Sequence, residues 1–577
     1  MNNPRVEAGL DELRSVRKES RSLFWTAGIF SFFVNMLMLT GPLYMLQVYD
    51  RVLGSRSFET LFGLTLIVAF LYGMMGLLDF ARARIMARIG SRFQARLDKR
   101  VFDAVIRKSA IAPDESSATG LRDLESIQRL LISPPFMALF DLPWTPFFLA
   151  GILLFHPWLG YLAMSGGLFL IILTILNQAV TRRPTAHANM ATMQSEQISG
   201  QMLSEAEMVQ SMGMRDASFY RWQSARNKAL EQSLSASDMG GMFSTLTKTF
   251  RLFLQSAMLG LGAYLVLIGE LTPGAMIAGS ILMGRALSPI EMAIGQWPVF
   301  QRAAKGWDNL ALLLGTVPKE PPRTPLPKPA AKLEVLQLTI VPPGQSQATL
   351  RMVNFALDPG QAVGVIGTSG AGKSTLARAL TGLWRPAGGK IRLDGAALDQ
   401  YDPNVLGQLI GYLPQRVELF DGTVAENIAR LDPEPNAERI VDAAKKADAH
   451  AMILQMPEGY DTRVTASGGR LSGGQIQRIG LARAMYSDPV ILVLDEPNSN
   501  LDNEGSQALN SAIRAMKSEG KSVLIMAHRP AAIQECDLLL MLEGGHAKAF
   551  GPKDDVLKKM VQNHQQIARD PNKGSVQ

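Results

Sequence analysis

At 577 residues the chain is too long for one ordinary domain, and its apolar content of 47% is spread so unevenly that the first half suits lipid and the second suits water. A net charge of +7 could serve nucleic acid, but long uncharged runs make basic residues a matter of membrane topology, and nucleic acid is excluded as a partner. The single cysteine, Cys536, excludes an internal disulfide, a cysteine-based metal site and a CxxC redox pair, and is expected to be a buried apolar filler.

Residues 1–21 carry both signs of charge and lack the apolar core and small-residue cleavage site of a signal peptide, so no cleavage is expected. Residues 22–49 hold no charged side chain, and about 20 such positions let a helix cross a bilayer. Residues 60–78 give a second span, and a third is expected to contain Asp141. The uncharged run 142–181 is broken at His156-Pro157, a tight turn into the fourth span, and 252–269 and 271–291 bring the total to six. Arg285 interrupts the last, which ends at Glu291; a charge facing hydrocarbon is costly, so both residues are expected to meet a wet cavity or the aqueous boundary. Segments 80–135 and 182–251 carry 11 and 8 Lys/Arg, whereas 49–59 carries only Arg51 and Arg56, which places the N-terminus in the cytoplasm. FARARIMARIGSRFQARLDKRVFDAVI contains no helix breaker, so the second span is expected to continue well beyond the bilayer. Arg82, Arg84, Arg88, Arg92 and Arg96 are then read as a solvated face.

Residues 317–330, VPKEPPRTPLPKPA, place six prolines in 14 positions and read as a semi-rigid linker. Beyond it the strand-like LEVLQLTI and the short apolar runs AVGVIG, VILVLDEP and SVLIMAH alternate with helical patterns, the signature of a mainly parallel sheet covered by helices. The expected organisation is a cytoplasmic segment 1–21, a membrane domain 22–316, a linker 317–330, an α/β nucleotide-binding domain 331–551 and a polar tail 552–577.

GTSGAGKST fits GxxxxGK[ST] between an apolar strand and a helix-forming stretch. Backbone N–H groups of Gly367, Thr368, Ser369, Gly370, Ala371, Gly372 and Thr375 would wrap the phosphates of ATP, Lys373 would reach the β- and γ-phosphates, and Ser374 would ligate Mg²⁺. In VILVLDEP, Asp495 is placed to hold the metal through its water and Glu496 to polarise the water that attacks the γ-phosphorus.

The string LSGGQIQRIGLARA at 471–484 completes a set with the P-loop, YLPQ, LVLDEP, NLD at 500–502 and MAHRP, and by this set residues 331–550 resemble the ATPase domain of ABC transporters. The resemblance implies that Gln415 is a metal ligand that senses the γ-phosphate and the membrane domain, and that His528 contacts the γ-phosphate. It further implies that Ser472, Gly473, Gly474 and Gln475 bind a nucleotide held by a second copy of the chain, and that Asp502 belongs to the loop joining the two sites. A signature that serves its partner's P-loop requires a dimer, here a homodimer or a closely matched heterodimer. Two departures stand out: Pro342 occupies the place of the usual adenine-stacking aromatic, and Ala466 stands where exporters carry a glutamate linked to coupling.

Six spans fused to one ATPase domain resemble the exporter branch, and NMLMLTGPLYMLQVYDRVLGSRSFETL at 35–61 with FDLPWTPFFL at 140–149 is similar to the type I secretion ATPases. Polar residues in these strings, Asp50, Arg51 and Asp141, are not what lipid solubility selects, although an Asp50–Arg51 salt pair is a structural alternative for two of them. The resemblance implies a Gram-negative inner-membrane transporter that couples ATP hydrolysis to export of an unfolded protein with a C-terminal signal. It also implies a periplasmic adaptor and an outer-membrane duct as partners beside the bilayer lipid. With the first span beginning near Ser22, no N-terminal peptidase domain is expected. The alternatives are a lipid or drug exporter, and an ATP-gated scaffold or sensor that moves no cargo.

Overall fold

The computed structural model describes residues 4–321, 323–465, 471–498, 503–527 and 533–558. These residues form two compact units, which meet in sequence at Lys319 and Glu320.

The first unit is helical. Among the described residues five helices are long and apolar enough to cross a membrane, Arg21–Ser55, Phe58–Ile111, Pro134–Phe155, Pro157–Ser204 and Arg215–Leu267, and Pro273–Met292 with Trp297–Thr316, bent by 44°, makes a sixth if the pair is one span. The first helix runs well past residue 49, through one π-helical turn at Val48–Val52, and ends at Arg56, whose left-handed φ of 54° breaks it. The outer connection therefore shrinks to Arg56 and Ser57. Phe58–Ile111 continues for 54 residues, about 80 Å, as its unbroken pattern requires. Its apolar window has 0% of its residues buried, so that face is left for lipid or another chain. Pro157 starts the fourth span at the position where its missing N–H costs nothing, and His156 Nδ1 accepts from Trp158 N at 3.3 Å to cap it.

Helical periodicity corrects the reading of the arginines. Arg84, Arg88, Arg92 and Arg96 are exposed, but Arg82 lies on the buried stripe of Met86, Ile89, Phe93 and Leu97. Its guanidinium donates to Asp141 Oδ1 at 2.7 Å, Ser31 Oγ at 2.9 Å and Asp79 Oδ1 at 2.8 Å. Asn35 adds a 2.7 Å bond to the same Asp141 oxygen, so one polar cluster joins the first three spans. Asp50 and Arg51 form no salt pair. Asp50 instead accepts from Thr272 Oγ1 at 2.7 Å and Gly274 N at 2.8 Å, which fastens the end of the first span to the start of the sixth. Glu291 pairs with Arg251 at 2.8 Å, and Arg285 is exposed.

The N-terminal helix Pro4–Glu19 lies along Trp297–Thr316. A methyl group at Gly9 would collide with the Ala311 carbonyl, which is why the two backbones can approach so closely.

The second unit has two main sheets. The larger is ordered His546–Pro552, Leu538–Glu543, Ala362–Gly367, Ser522–Met526, Ile491–Asp495, Ile410–Leu413, and is parallel except for its first pair. Its central strands Ile491–Asp495 and Ser522–Met526 are buried along their whole length, as strands covered on both faces must be. The strand Leu333–Ile340 is not part of it. That strand pairs antiparallel with Leu350–Leu357 on one side and Gly388–Leu393 on the other, forming a separate sheet. Cys536 is buried, and burial pushes its thiol up to about 12, so it is the inert filler its isolation suggested.

Candidate nucleotide site

In an open parallel sheet, ligands sit beyond the carboxyl ends of the strands. Three strands of the larger sheet end at the motifs, Ala362–Gly367 at the P-loop, Ile491–Asp495 at the acidic pair and Ile410–Leu413 two residues before Gln415, with Ser522–Met526 between the first two.

The P-loop turns through Gly370 and Gly372, with φ of 79° and 100°, and delivers the helix Lys373–Leu380 without a side-chain cap. Its first-turn N–H groups are thus left for an anion. Lys373 is buried, and its Nζ donates to the carbonyls of Gly367 at 2.9 Å and Thr368 at 3.1 Å across the mouth of the loop. Burial lowers the pKa of this ammonium, and the Glu496 and Asp495 charges pull it back up.

Ser374 Oγ donates to Asp495 Oδ1 at 3.3 Å, which sets a hydroxyl and a carboxylate side by side as a hard cation requires. Burial raises the Asp495 pKa first and Glu496 adds to it, while Ser374, Arg378 and Lys373 oppose. A buried carboxylate pushed up in this way gains from a bound divalent ion. Gln415 Nε2 donates to Glu496 Oε2 at 3.0 Å. Glu496 holds a φ of 54°, a conformation that costs a side-chain-bearing residue on the order of 1 kcal/mol, and its N–H is tied to Met526 O at 3.0 Å. The donor set fits ATP with Mg²⁺: phosphate donors at the P-loop, and Ser374, Asp495 and Gln415 for the metal.

Ser472 caps the helix Gly473–Met485 in a reciprocal box with Gln475. Among the described residues, no hydrogen bond joins Ser472–Gln475 to the P-loop of the same chain. Pro342 is buried and offers no free face to a base. His528, Asp502 and Ala466 lie outside the described residues.

Two neighbours went unread in the sequence. Gln477 is buried on the inward stripe of the signature helix and donates to Pro497 O, just beyond Glu496. A glutamine in register with Gly480, Leu481 and Ala484 is the signal that would have found it. Tyr412, its phenol pushed up to about 12 by burial and by Asp495, backs the acidic pair from the YLPQ strand.

This combination, a P-loop half-site in one unit and five or six spans in the other, defines an ABC exporter. Residues 350–499 match the ABC transporter family and residues 24–289 match the ABC transporter transmembrane region. The fold aligns with a bacterial Atm1-family ABC exporter with ATP bound at a TM-score of 0.79, covering 96% of this chain and 99% of that one at 22% identity. The chain is also 42% identical to the type I secretion system ATP-binding protein PrsD of Rhizobium meliloti, over 95% of its own length and 94% of that protein. A leukotoxin translocation ATP-binding protein, LktB of Bibersteinia trehalosi, is 28% identical over 93% of this chain and 77% of its own. The chain belongs to the type I secretion family of ABC transporters, and its ATPase domain couples ATP hydrolysis to transport.

Proposed function

We propose that two copies of this chain form the inner-membrane motor of a type I secretion system, which exports an unfolded protein carrying a C-terminal signal. The observation that carries the reading is the convergence of Lys373, Ser374, Gln415, Asp495 and Glu496 at the carboxyl end of one sheet, in a chain similar to PrsD along nearly its whole length.

In this mechanism Lys373 leaves the Gly367 and Thr368 carbonyls and turns to the β- and γ-phosphates. Ser374 and Gln415, with Asp495 through a water, would hold the metal. Mg²⁺, when bound, draws charge from the transferring phosphoryl group. Glu496 orients the attacking water and takes its proton, with Gln415 steadying the carboxylate. By family resemblance His528 contacts the γ-phosphate, Asp502 joins the two sites, and Ser472, Gly473, Gly474 and Gln475 close on the nucleotide of the opposite copy. Cytoplasmic ATPase domains, a periplasmic adaptor and an outer-membrane duct complete the path, because the outer connections of this chain are too short to make a tunnel.

The test is co-expression with an adaptor, a duct and a candidate cargo. Secretion should require ATP hydrolysis and the adaptor, and should fail for cargo lacking its last ~50 residues, an allowance for a segment that folds only after export. Equal secretion of intact and truncated cargo overturns the reading.

A further inference from the structure

A cavity of about 1600 Å³ opens in the membrane unit between the start of the first span, the far half of Pro157–Ser204 and the helix Trp297–Thr316. This is the end from which the chain continues into the ATPase unit, so it lies on the cytoplasmic side. Six cations line it, Arg17, Lys18, Arg21, Arg182, Arg302 and Lys305, against two carboxylates, Asp123 and Asp308. Asp123 is already engaged: its Oδ2 accepts from Thr119 Oγ1 at 2.6 Å and from Asn309 Nδ2 at 3.1 Å. Arg21, Arg182 and Arg302 are exposed and form no ion pair among the described residues. Arg21, Arg182 and Arg302 therefore present positive charge to the cleft.

The cations are also ordered by depth. Arg21 begins the first membrane helix, and Arg182 is the first charged residue after the uncharged run 142–181, so both stand where a span meets its headgroup layer. Trp25 lies one turn past Arg21 into the first span and Trp297 lies more than one turn before Arg302 on the sixth span's helix, so each tryptophan is deeper than its arginine, while Trp307 lies at the shallower end of the cleft. Arg17 sits over the Trp307 ring at 6.0 Å. Charge above an aromatic wall over such a short depth matches a phosphate above acyl chains. A soluble anion would use the cations but not the wall, and an acidic peptide has no reason to find charge and apolar surface layered along the bilayer normal.

We propose that this cleft binds an anionic phospholipid of the cytoplasmic leaflet, with its phosphate held by Arg21, Arg182 and Arg302 and its chains against Trp25 and Trp297. The proposal rests on the membrane placement of the spans and not on the cargo. Three of the chain's seven tryptophans, Trp25, Trp297 and Trp307, line the cleft and report on it directly. The test reconstitutes the full chain in phosphatidylcholine vesicles containing a minor, equal fraction of brominated phosphatidylglycerol or brominated phosphatidylcholine. The anionic lipid should quench at least about twofold more, and R21Q/R182Q/R302Q should lose that excess while quenching by the neutral lipid stays the same, which shows the variant is inserted and folded. Equal quenching by the two lipids in the unaltered chain overturns the proposal, as does an excess that survives the triple substitution. Loss of the excess on adding a short acidic, apolar peptide would reassign the cleft to polypeptide. No ATP is used, so K373A should behave as the unaltered chain, and a failure of the transport reading would leave this result standing.

Discussion

The membrane unit and the ATPase unit each hold an aspartate largely out of water, and they treat it in opposite ways. Asp141 is 16% exposed and takes bonds of 2.7 Å from both Arg82 and Asn35, while Arg82 spends its remaining donors on Ser31 and Asp79. The Arg82–Asp141 pair is matched within the cluster, with only the buried Arg82 Nε–H left without a partner among the described residues, so the cluster serves to tie three spans together. Asp495 accepts one long bond from Ser374, lies beside a second carboxylate, and has its pKa pushed up by burial. That site is unfinished in the chain alone, and an unfinished buried acid pair beside a phosphate cradle is where a cation and a nucleotide belong. A motif marks function here through what its own chain fails to satisfy.

The difference can be broken from either side. The largest effect is expected at the unfinished site: Glu496→Gln should lower ATP turnover about 10²–10⁴-fold while ATP binding persists, and Lys373→Ala should lose binding itself. Turnover assays beside nucleotide-binding assays separate the two, and unchanged turnover in Glu496→Gln would remove that carboxylate from the chemistry. At the closed site, Arg82→Met alone strands a buried carboxylate and should cost about 3–5 kcal/mol of stability, whereas Arg82→Met with Asp141→Leu should recover most of it. Thermal unfolding of the solubilised protein, read as a double-mutant cycle, decides this; equal losses for the single and the pair would mean that the cluster is not coupled. Asp50→Ala should cost about 1 kcal/mol, the worth of a helix cap, and raise protease sensitivity at the outer turns.

The smallest effect is a pH dependence. Burial works against the Asp114 carboxylate, but hydrogen bonds from Lys108, Ser116 and Ser117 bring its pKa to about 2. A carboxylate held below its unfolded value of about 4 stabilises the fold above that pH, and the benefit is lost as pH falls from about 4 toward 2. Asp114→Asn should lower stability at neutral pH, leave it nearly unchanged near pH 2, and so flatten the profile over that window; an unchanged profile would show that the contact carries no weight.

The nucleotide site was legible because its chemistry is local. Gly367 to Thr375 form one turn, and Asp495 and Glu496 are adjacent, so string and geometry coincide. The spans were legible for a similar reason, since absence of charge is a local property, although their ends were not: the first helix passes residue 49, where Asp50 is held by Thr272 and Gly274, until Arg56 adopts a left-handed turn. Long-range pairings were hidden. LEVLQLTI announces a strand but not which sheet accepts it, and nothing near Asp50 points to Thr272 and Gly274, more than 220 residues away. Arg82 was misread because five arginines look uniform as text. Arg84, Arg88, Arg92 and Arg96 repeat every four residues on one face, whereas Arg82 is in register with Met86, Ile89 and Phe93, a phase that was available and not used.

The claim that each copy holds only half a nucleotide site is tested most directly by mixing two inactive chains. Lys373→Ala spoils the P-loop and Ser472→Arg the signature, so either homodimer should be inactive. In a mixed dimer isolated with two tags, a crossed arrangement places both lesions in one site and leaves the other intact. ATPase activity of the mixed dimer should then return to about half that of the unaltered dimer. A mixed dimer as inactive as its parents would mean that each signature serves its own P-loop, and would contradict the account.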